Sequence, residues 1–573
     1  MLPTDFRMKI KTTYIILFAI VAIASILRLW KLGDVPISPD WDEAALGYNA
    51  YSIMQTGRDE YGEFLPIVLR SFDDYKPALY AYLTMPFIKM FDLTVFSVRF
   101  PSAIFGILTI IMTYFLVKEL FKGRNYQDFL ALLSSFLLAI SPWHIQFSRI
   151  AFESNVGVAF NTLAVLFFLV GLKKPLFLVL SSITMGLSLY VYQSEKVFVP
   201  ILAFLMIIIF RKDLFLLPKK YIATAFVLGF FIVLPITHYI LTNKEALSRA
   251  QDVSILANKM PILEENVQRL VEDRKNNDYI GLIFDNRRVT YLKDIAAGYL
   301  SHFDLNWLFI KGDIARHHTP NMGLFYIIEL PFLLIGVYKL LFGEFSKKTK
   351  LLIFSWFLIA PIPASVTSDV PHAVRALNFL PIFQIFTAIG VLFSMQKISN
   401  IQFQISNIPP SLKLWRASKY FKFLIVVFIF SFFVFNFIYY LNQYFIQQNY
   451  FHAKYWQYGY EETVEYLMSV RENYNKIIVS NKMPMDQSYI FFLFYSKYDP
   501  VKYLAEGGTK SGAQKESGNK FLNFEFRKFS YYTEKGDNML LVGSSNDFTE
   551  IFKTIKRVDY PNGEVAIRIV HKD

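Results

Sequence analysis

The stretch "TYIILFAIVAIASILRLW" (13–30) is followed, eight residues later, by "PDWDEAALGYNA" (39–50), and the reading of that junction decides the fold. The first segment is almost wholly apolar, with Arg28 near its end. It has about the length a helix needs to cross the hydrocarbon core of a bilayer. The second sets three carboxylates, Asp40, Asp42 and Glu43, within four positions. A chain that leaves a membrane and at once presents packed carboxylates either decorates a loop or sets a base at the membrane surface.

Composition supports the membrane reading. Of 573 residues, 54% are hydrophobic and 18% aromatic, with a mean hydropathy of +0.34, more apolar surface than a soluble domain can hide. Apolar runs recur near 12–30, 98–118, 128–142, 154–172, 175–192, 196–210, 220–241, 322–341, 350–366, 374–394 and 421–442. They predict a polytopic α-helical membrane protein of about eleven spans. The first is too long for a cleaved signal and reads as an anchor that stays. The net charge of +13 is explained by lysine and arginine in cytoplasmic loops rather than by nucleic acid. The absence of cysteine excludes disulfides, thiolate metal sites and a cysteine nucleophile.

Charge also sets the expected topology. Arg7, Lys9 and Lys11 make the N-terminus cytoplasmic. If "KPALYAYLTMPFIKMF" (76–91) lies along the membrane or re-enters it, "KELFKGR" (118–124), Lys173, Lys174, Arg211, Lys212 and the stretch around Lys413 also fall inside. The outer side then holds a first loop at 31–97, the turn "SPWHIQFSRIAFES" (141–154), a long loop at 242–321 and "SVTSDVPHAVR" (365–375). Residues with chemical potential gather on that side. From 446 the pattern changes: "EETVEYLMSV" has helical spacing, while "KIIVS", "SYIFFLFY", "NMLLVGSS" and "EVAIRIV" read as strands around a polar loop at 506–520. This predicts two domains, a membrane domain at 1–445 and a small extracytoplasmic α/β domain at 446–573. No phosphate-binding glycine loop is present, which argues against an ATP-driven pump.

Chemistry on an outer face without nucleotide needs a donor already activated there. A polyprenyl-phosphate sugar fits: apolar tail, interfacial phosphate, glycosyl group in water. Using it takes a carboxylate to deprotonate the acceptor and cations to hold the leaving phosphate. Asp42 or Glu43 supplies the base; Lys76, Arg149 and Arg375 are candidates for the phosphate. Asp59, Glu60, His144, Glu153, His317, His318 and His372 are further candidate contacts for substrate or a metal ion. Each has a plainer reading. Asp42 and Glu43 can serve a helix dipole, Lys76 can snorkel, and Arg149 can pair with Glu153 four residues on.

The chain also resembles a family. "DEA" (42–44), "GRDEYGEFLP" (57–66), "YKPALYAYL" (75–83), "VRFPSAIFGILTIIMTYFLVKELF" (98–121) and "SPWHIQFSR" (141–149) carry the likeness, with "GDIARHHTPNMGLFY" (312–326) and "PHAVRALNFLP" (371–381) thinner. It resembles the GT-C superfamily of integral-membrane glycosyltransferases, in the branch of protein O-mannosyltransferases and the lipid A aminoarabinose transferase. The resemblance implies interfacial helices in the first outer loop and inverting transfer from a polyprenyl-phosphate sugar. It implies Asp42 as general base, Glu43 as its companion and Lys76 near the lipid phosphate. The acceptor would be an envelope glycan, lipid or protein, and the setting a plasma (inner) membrane. A divalent metal stays open, and no other cofactor is expected. The alternatives are a transporter or flippase of lipid-linked sugars, expected to show internal repeats, and a non-catalytic membrane scaffold.

Overall fold

The computed structural model describes residues 8–72, 74–243, 254, 260–406, 414–512, 518–548 and 552–572. Arg7, Lys413, part of the 242–321 loop and residues 513–517 of the polar loop lie outside these. The chain divides into two compact units. One takes Met1–Ala24, Ile107–Ile145 and Ser154–Tyr439; the other takes Ser25–Gly106, Gln146–Glu153 and Tyr440–Asp573. One break between the units falls at Tyr439/Tyr440. The C-terminal segment, however, forms one unit with residues 25–106 and 146–153 instead of standing alone.

Six helices among the described residues are long and apolar enough to cross a membrane, and a seventh span results if one bent pair is counted. The chain is a multi-pass membrane protein. α1 (Ile10–Leu29), α4 (Val95–Leu120), α7 (Glu153–Gly171) and α10 (Lys219–Thr242) are four of them. The other two lie in Leu377–Ile398 and Lys422–Phe451. The five remaining apolar runs of the expected eleven are short, bent or charged. α5 (Gln127–Ile140) and α6 (Pro142–Ser148) meet at 61°, where Pro142 cannot supply a helical N–H. α8 (Leu176–Ser188) and helices Glu329–Phe342 and Lys347–Ile359 have 13 or 14 residues. The last of these is followed by Pro361 and Pro363. α9 (Glu195–Phe215) is long, but charges crowd both of its ends.

In the first unit, helices Glu329–Phe342 and Ile382–Ser406 cross at backbone contact. A Cβ at Gly336 would stand 1.8 Å from the Phe386 carbonyl oxygen, and one at Gly390 would stand 1.8 Å from that of Phe332. Only glycine permits that approach. A polar knot ties α7, α8 and α9 to the turn Leu377–Phe379. Asn161 and Asn378 donate to Glu195 at 2.6 and 2.8 Å, and Ser188 donates to Asn161 at 2.9 Å. Trp356 donates to the Asn378 carbonyl at 2.6 Å. Buried among apolar helices, such a network is stable only when its members satisfy one another.

The second unit holds α2 (Trp41–Thr56), a hairpin of β1 (Val68–Ser71) and β2 (Asp74–Pro77), α3 (Leu79–Phe91) and a six-stranded sheet. With 13 residues, α3 is about 20 Å long, short of the hydrocarbon thickness. The sheet runs β4 (Asn519–Phe521), β5 (Phe524–Phe526), β3 (Lys476–Val479), β6 (Met539–Gly543), β8 (Val565–Lys572), β7 (Thr554–Asp559). β3 is parallel to both β5 and β6, and the other pairs are antiparallel. One face buries Ile478, Met539, Leu541, Phe548 and Val570 together.

The segment "SYIFFLFY" corrects the sequence reading: it is a helix, Ser488–Ser496, not a strand. Ser488–Phe494 are all buried, so apolarity on every side hides the period that separates helix from strand. Phe491 stacks on Tyr460 at 4.3 Å. Gly47 lets α2 close on this helix, since a Cβ there would meet Phe494 at 2.7 Å.

Candidate active site

α2 begins with a capping box. Asp40 is the N-cap and accepts the Glu43 N–H at 2.9 Å, while Glu43 Oε2 accepts the Asp40 N–H at 3.3 Å. The D-x-x-E spacing is what such a box needs. Glu43 is drawn further inward. Arg99 Nε donates to its Oε1 and Nη2 to its Oε2, both at 2.9 Å, and the Ala151 N–H donates to Oε1 at 2.8 Å. The remaining Arg99 hydrogens go to the carbonyls of Leu32, Pro36 and Ser38 at 3.1, 2.8 and 2.7 Å. Side-chain exposure is 0% for Arg99 and 4% for Glu43. A carboxylate so enclosed and saturated holds a helix start in place; it is not free to accept a proton from a substrate.

Asp42, one position earlier, has the opposite setting. Its side chain is 25% exposed, and it accepts from Lys76 Nζ. Lys76 sits on β2 opposite Leu69 of β1, with its side chain 10% exposed. The hairpin thus brings a cation from 34 residues away onto the first turn of α2. This is a carboxylate that water can reach, beside an ammonium group, on a helix start braced from beneath by Glu43 and Arg99.

Arg149 is fully buried. Its guanidinium donates to the carbonyls of Leu27, Trp30, Lys31 and Val35 at 2.8–3.1 Å. The rings of Phe445 and Tyr444 cover it at 4.9 and 5.5 Å. Arg99 and Arg149 together hold the end of α1 and the irregular 30–38 connection that leads into α2. Glu153 is buried at the start of α7.

Asp59 and Glu60 also act on the loop. Asp59 Oδ1 accepts the N–H groups of Tyr61 and Glu63 at 3.0 and 2.9 Å. Glu60 accepts from Asn49 at 2.9 Å and from Thr509 at 2.6 Å. Burial pushes the Glu60 carboxyl up to about 7, against the opposing pull of those two hydrogen bonds. The folded chain therefore binds more protons here than the unfolded chain between pH 4.5 and about 7. Stability from neutral Glu60 is full below that interval and declines as pH rises through it. Thermal unfolding in detergent across these pH values should show the decline, and Glu60→Gln should flatten it. An unchanged slope in that variant would remove Glu60 as the cause.

The first unit holds a separate cluster. Asp313, His317 and His372 bring one ligand atom each within 4.8 Å of one another. Burial works to raise the Asp313 carboxyl, but its hydrogen bond with His317 and the neighbouring imidazoles outweigh this and hold it at about 2. Burial holds His317 and His372 below the ordinary histidine value. His318 turns away and donates Nδ1–H to the Ile314 carbonyl at 3.0 Å. Arg375 donates to Thr367 Oγ1 at 2.6 Å, and His144 is buried in α6. Sequence reasoning missed Arg99, Asp313 and the capping role of Asp40.

Residues 75–239 match the family model described as dolichyl-phosphate-mannose-protein mannosyltransferase. No curated protein sequence matches the chain. ArnT from Cupriavidus metallidurans, solved bound to undecaprenyl phosphate, superposes with a TM-score of 0.52 at 11% identity over 98% of both chains. The apo oligosaccharyltransferase of Archaeoglobus fulgidus superposes with a TM-score of 0.50 at 15% identity over 85% of this chain. This chain spans 64% of the archaeal protein's length. The fold is similar to that of these two membrane proteins.

Proposed function

We propose that this protein transfers a glycosyl group, with inversion, from a polyprenyl-phosphate sugar to an acceptor outside the cytoplasm. The acceptor hydroxyl gives its proton to Asp42, its oxygen bonds to the anomeric carbon, and the carbon–oxygen bond to the lipid phosphate breaks with its electron pair leaving on the phosphate. Lys76 neutralises the charge that grows there. Glu43 is a positioning residue that acts through the helix start. The observation that carries this reading is the Asp42–Lys76 pair, water-accessible on a braced helix N-terminus. The GT-C fold supports it, as does the mannosyltransferase match beginning at residue 75. The acceptor is an envelope glycan, lipid or protein.

The test is to incubate membranes containing the protein with radiolabelled polyprenyl-phosphate sugars. Label should appear on an acceptor, with free polyprenyl phosphate released. Label that crosses the membrane still on its lipid, with no transfer, would overturn the reading in favour of a flippase. In this reading the segment after residue 445 faces outward, so alkaline phosphatase fused there should be active.

A further inference from the structure

We propose that Asp313, His317 and His372 bind one divalent transition-metal ion, zinc by ligand type, clasping the turn at 313–317 to the loop at 366–376. The inference is independent of the catalytic reading of Asp42. Two imidazoles and one carboxylate are the donor set of many three-ligand zinc sites, which leave a further position open. Here one ligand atom from each residue lies within 4.8 Å of the others. Ligands at roughly 2.1 Å from zinc in a tetrahedron stand about 3.4 Å apart. Side-chain adjustments on the order of 1 Å would close the cluster on an ion.

The surroundings are built as an outer shell. Asp313 Oδ2 faces His317 Nδ1 at 3.2 Å and accepts the Ala373 N–H at 2.5 Å, so the opposite loop orients the carboxylate. The His372 N–H donates to His302 Nε2 at 3.2 Å, and His302 donates its Nδ1–H to the Gly298 carbonyl at 2.7 Å. That chain fixes the backbone of the third ligand and the tautomer of the histidine behind it. Outer partners of this kind orient metal ligands. The His317 and Asp313 side chains are 5% and 6% exposed, and His372 is half-buried. The two ligand rings stand 4.9 Å apart, centre to centre. The pairing is local in sequence: Asp313 and His317 are four residues apart on one turn, closed by the His317 N–H to the Ile314 carbonyl at 2.8 Å.

The full-length protein in detergent, stripped with chelator, would be dialysed against Zn²⁺ and its metal content measured. Co²⁺ titration followed by visible absorption reports the ligand field. One equivalent per chain is expected, with a rise in the thermal midpoint that chelator reverses. His317→Ala and His372→Ala should each weaken binding by at least about a hundredfold, since losing even an outer-shell partner costs 10–100-fold. His318→Ala, on the same turn but facing elsewhere, should bind like the parent. Uptake of no stoichiometric ion, or parental affinity in both ligand variants, overturns the proposal. If the variants do not fold, the parent protein decides: absence of cobalt d–d bands and of any thermal shift with Zn²⁺ overturns it.

Discussion

Replacing Asp42 with asparagine should lower glycosyl transfer by about 10²–10⁴, the usual worth of a general base, while the protein stays folded and extractable. Asparagine keeps the size of the side chain but cannot take the acceptor's proton. The fold should tolerate the change, because Asp42 is a quarter exposed and helix capping falls to Asp40 and Glu43. Lys76→Met should lose at least about a hundredfold by analogy with a lost oxyanion donor. Since Lys76 and Asp42 contact one another, the double variant should be little worse than Asp42→Asn alone; residues that act as a unit are not additive. Lys76→Arg should recover part of the loss, because charge is kept and geometry is not. Near-parental transfer by Asp42→Asn would remove it as the base.

The second large effect is on stability. Arg99→Met leaves Glu43 buried at 4% exposure with no cation, and it leaves three carbonyls of the 27–38 connection without their donors. Breaking a buried ion pair from one side costs roughly 3–5 kcal/mol. Loss of the folded fraction after mild heating, read by size-exclusion chromatography in detergent, should expose it. Arg99→Lys should rescue poorly, since lysine has no planar fork to bridge a carboxylate and three carbonyls. A thermal profile unchanged in Arg99→Met would mean that the pair does not hold the helix start.

Much of this was legible in the residues, unevenly. The 13–30 run announced a membrane chain, and the carboxylates after it drew attention to the membrane surface. The basic loops argued that 76–91 does not cross, and at 13 residues α3 is shorter than a span. The D-x-x-E spacing of Asp40 and Glu43 was there to be read as a capping box and was passed over; it separates the role of Glu43 from that of Asp42. Arg99 gave less warning, because its partner lies 56 residues away. Its hint was the cost of an unpaired arginine entering an apolar helix. At Arg149 the sequence shows a cation but not the four carbonyls it donates to. At 317–318 the doublet drew attention from the pairing that forms, between Asp313 and His317. The run "SYIFFLFY" could not be resolved by period, since burial on all sides makes helix and strand read alike.

The connection at 27–38 has a consequence for biosynthesis. Beyond the end of α1 at Leu29 it has no regular secondary structure, and its carbonyls are gathered by guanidinium groups at 99 and 149. Long separations in sequence make such contacts late events. On the ribosome, α1 is complete long before either arginine exists. The link to the first carboxylates therefore emerges without its template and takes final form only after roughly a hundred further residues have been made and α4 has been inserted. The site is among the first parts of the chain to be synthesised, yet it is set only after Arg149 has followed it.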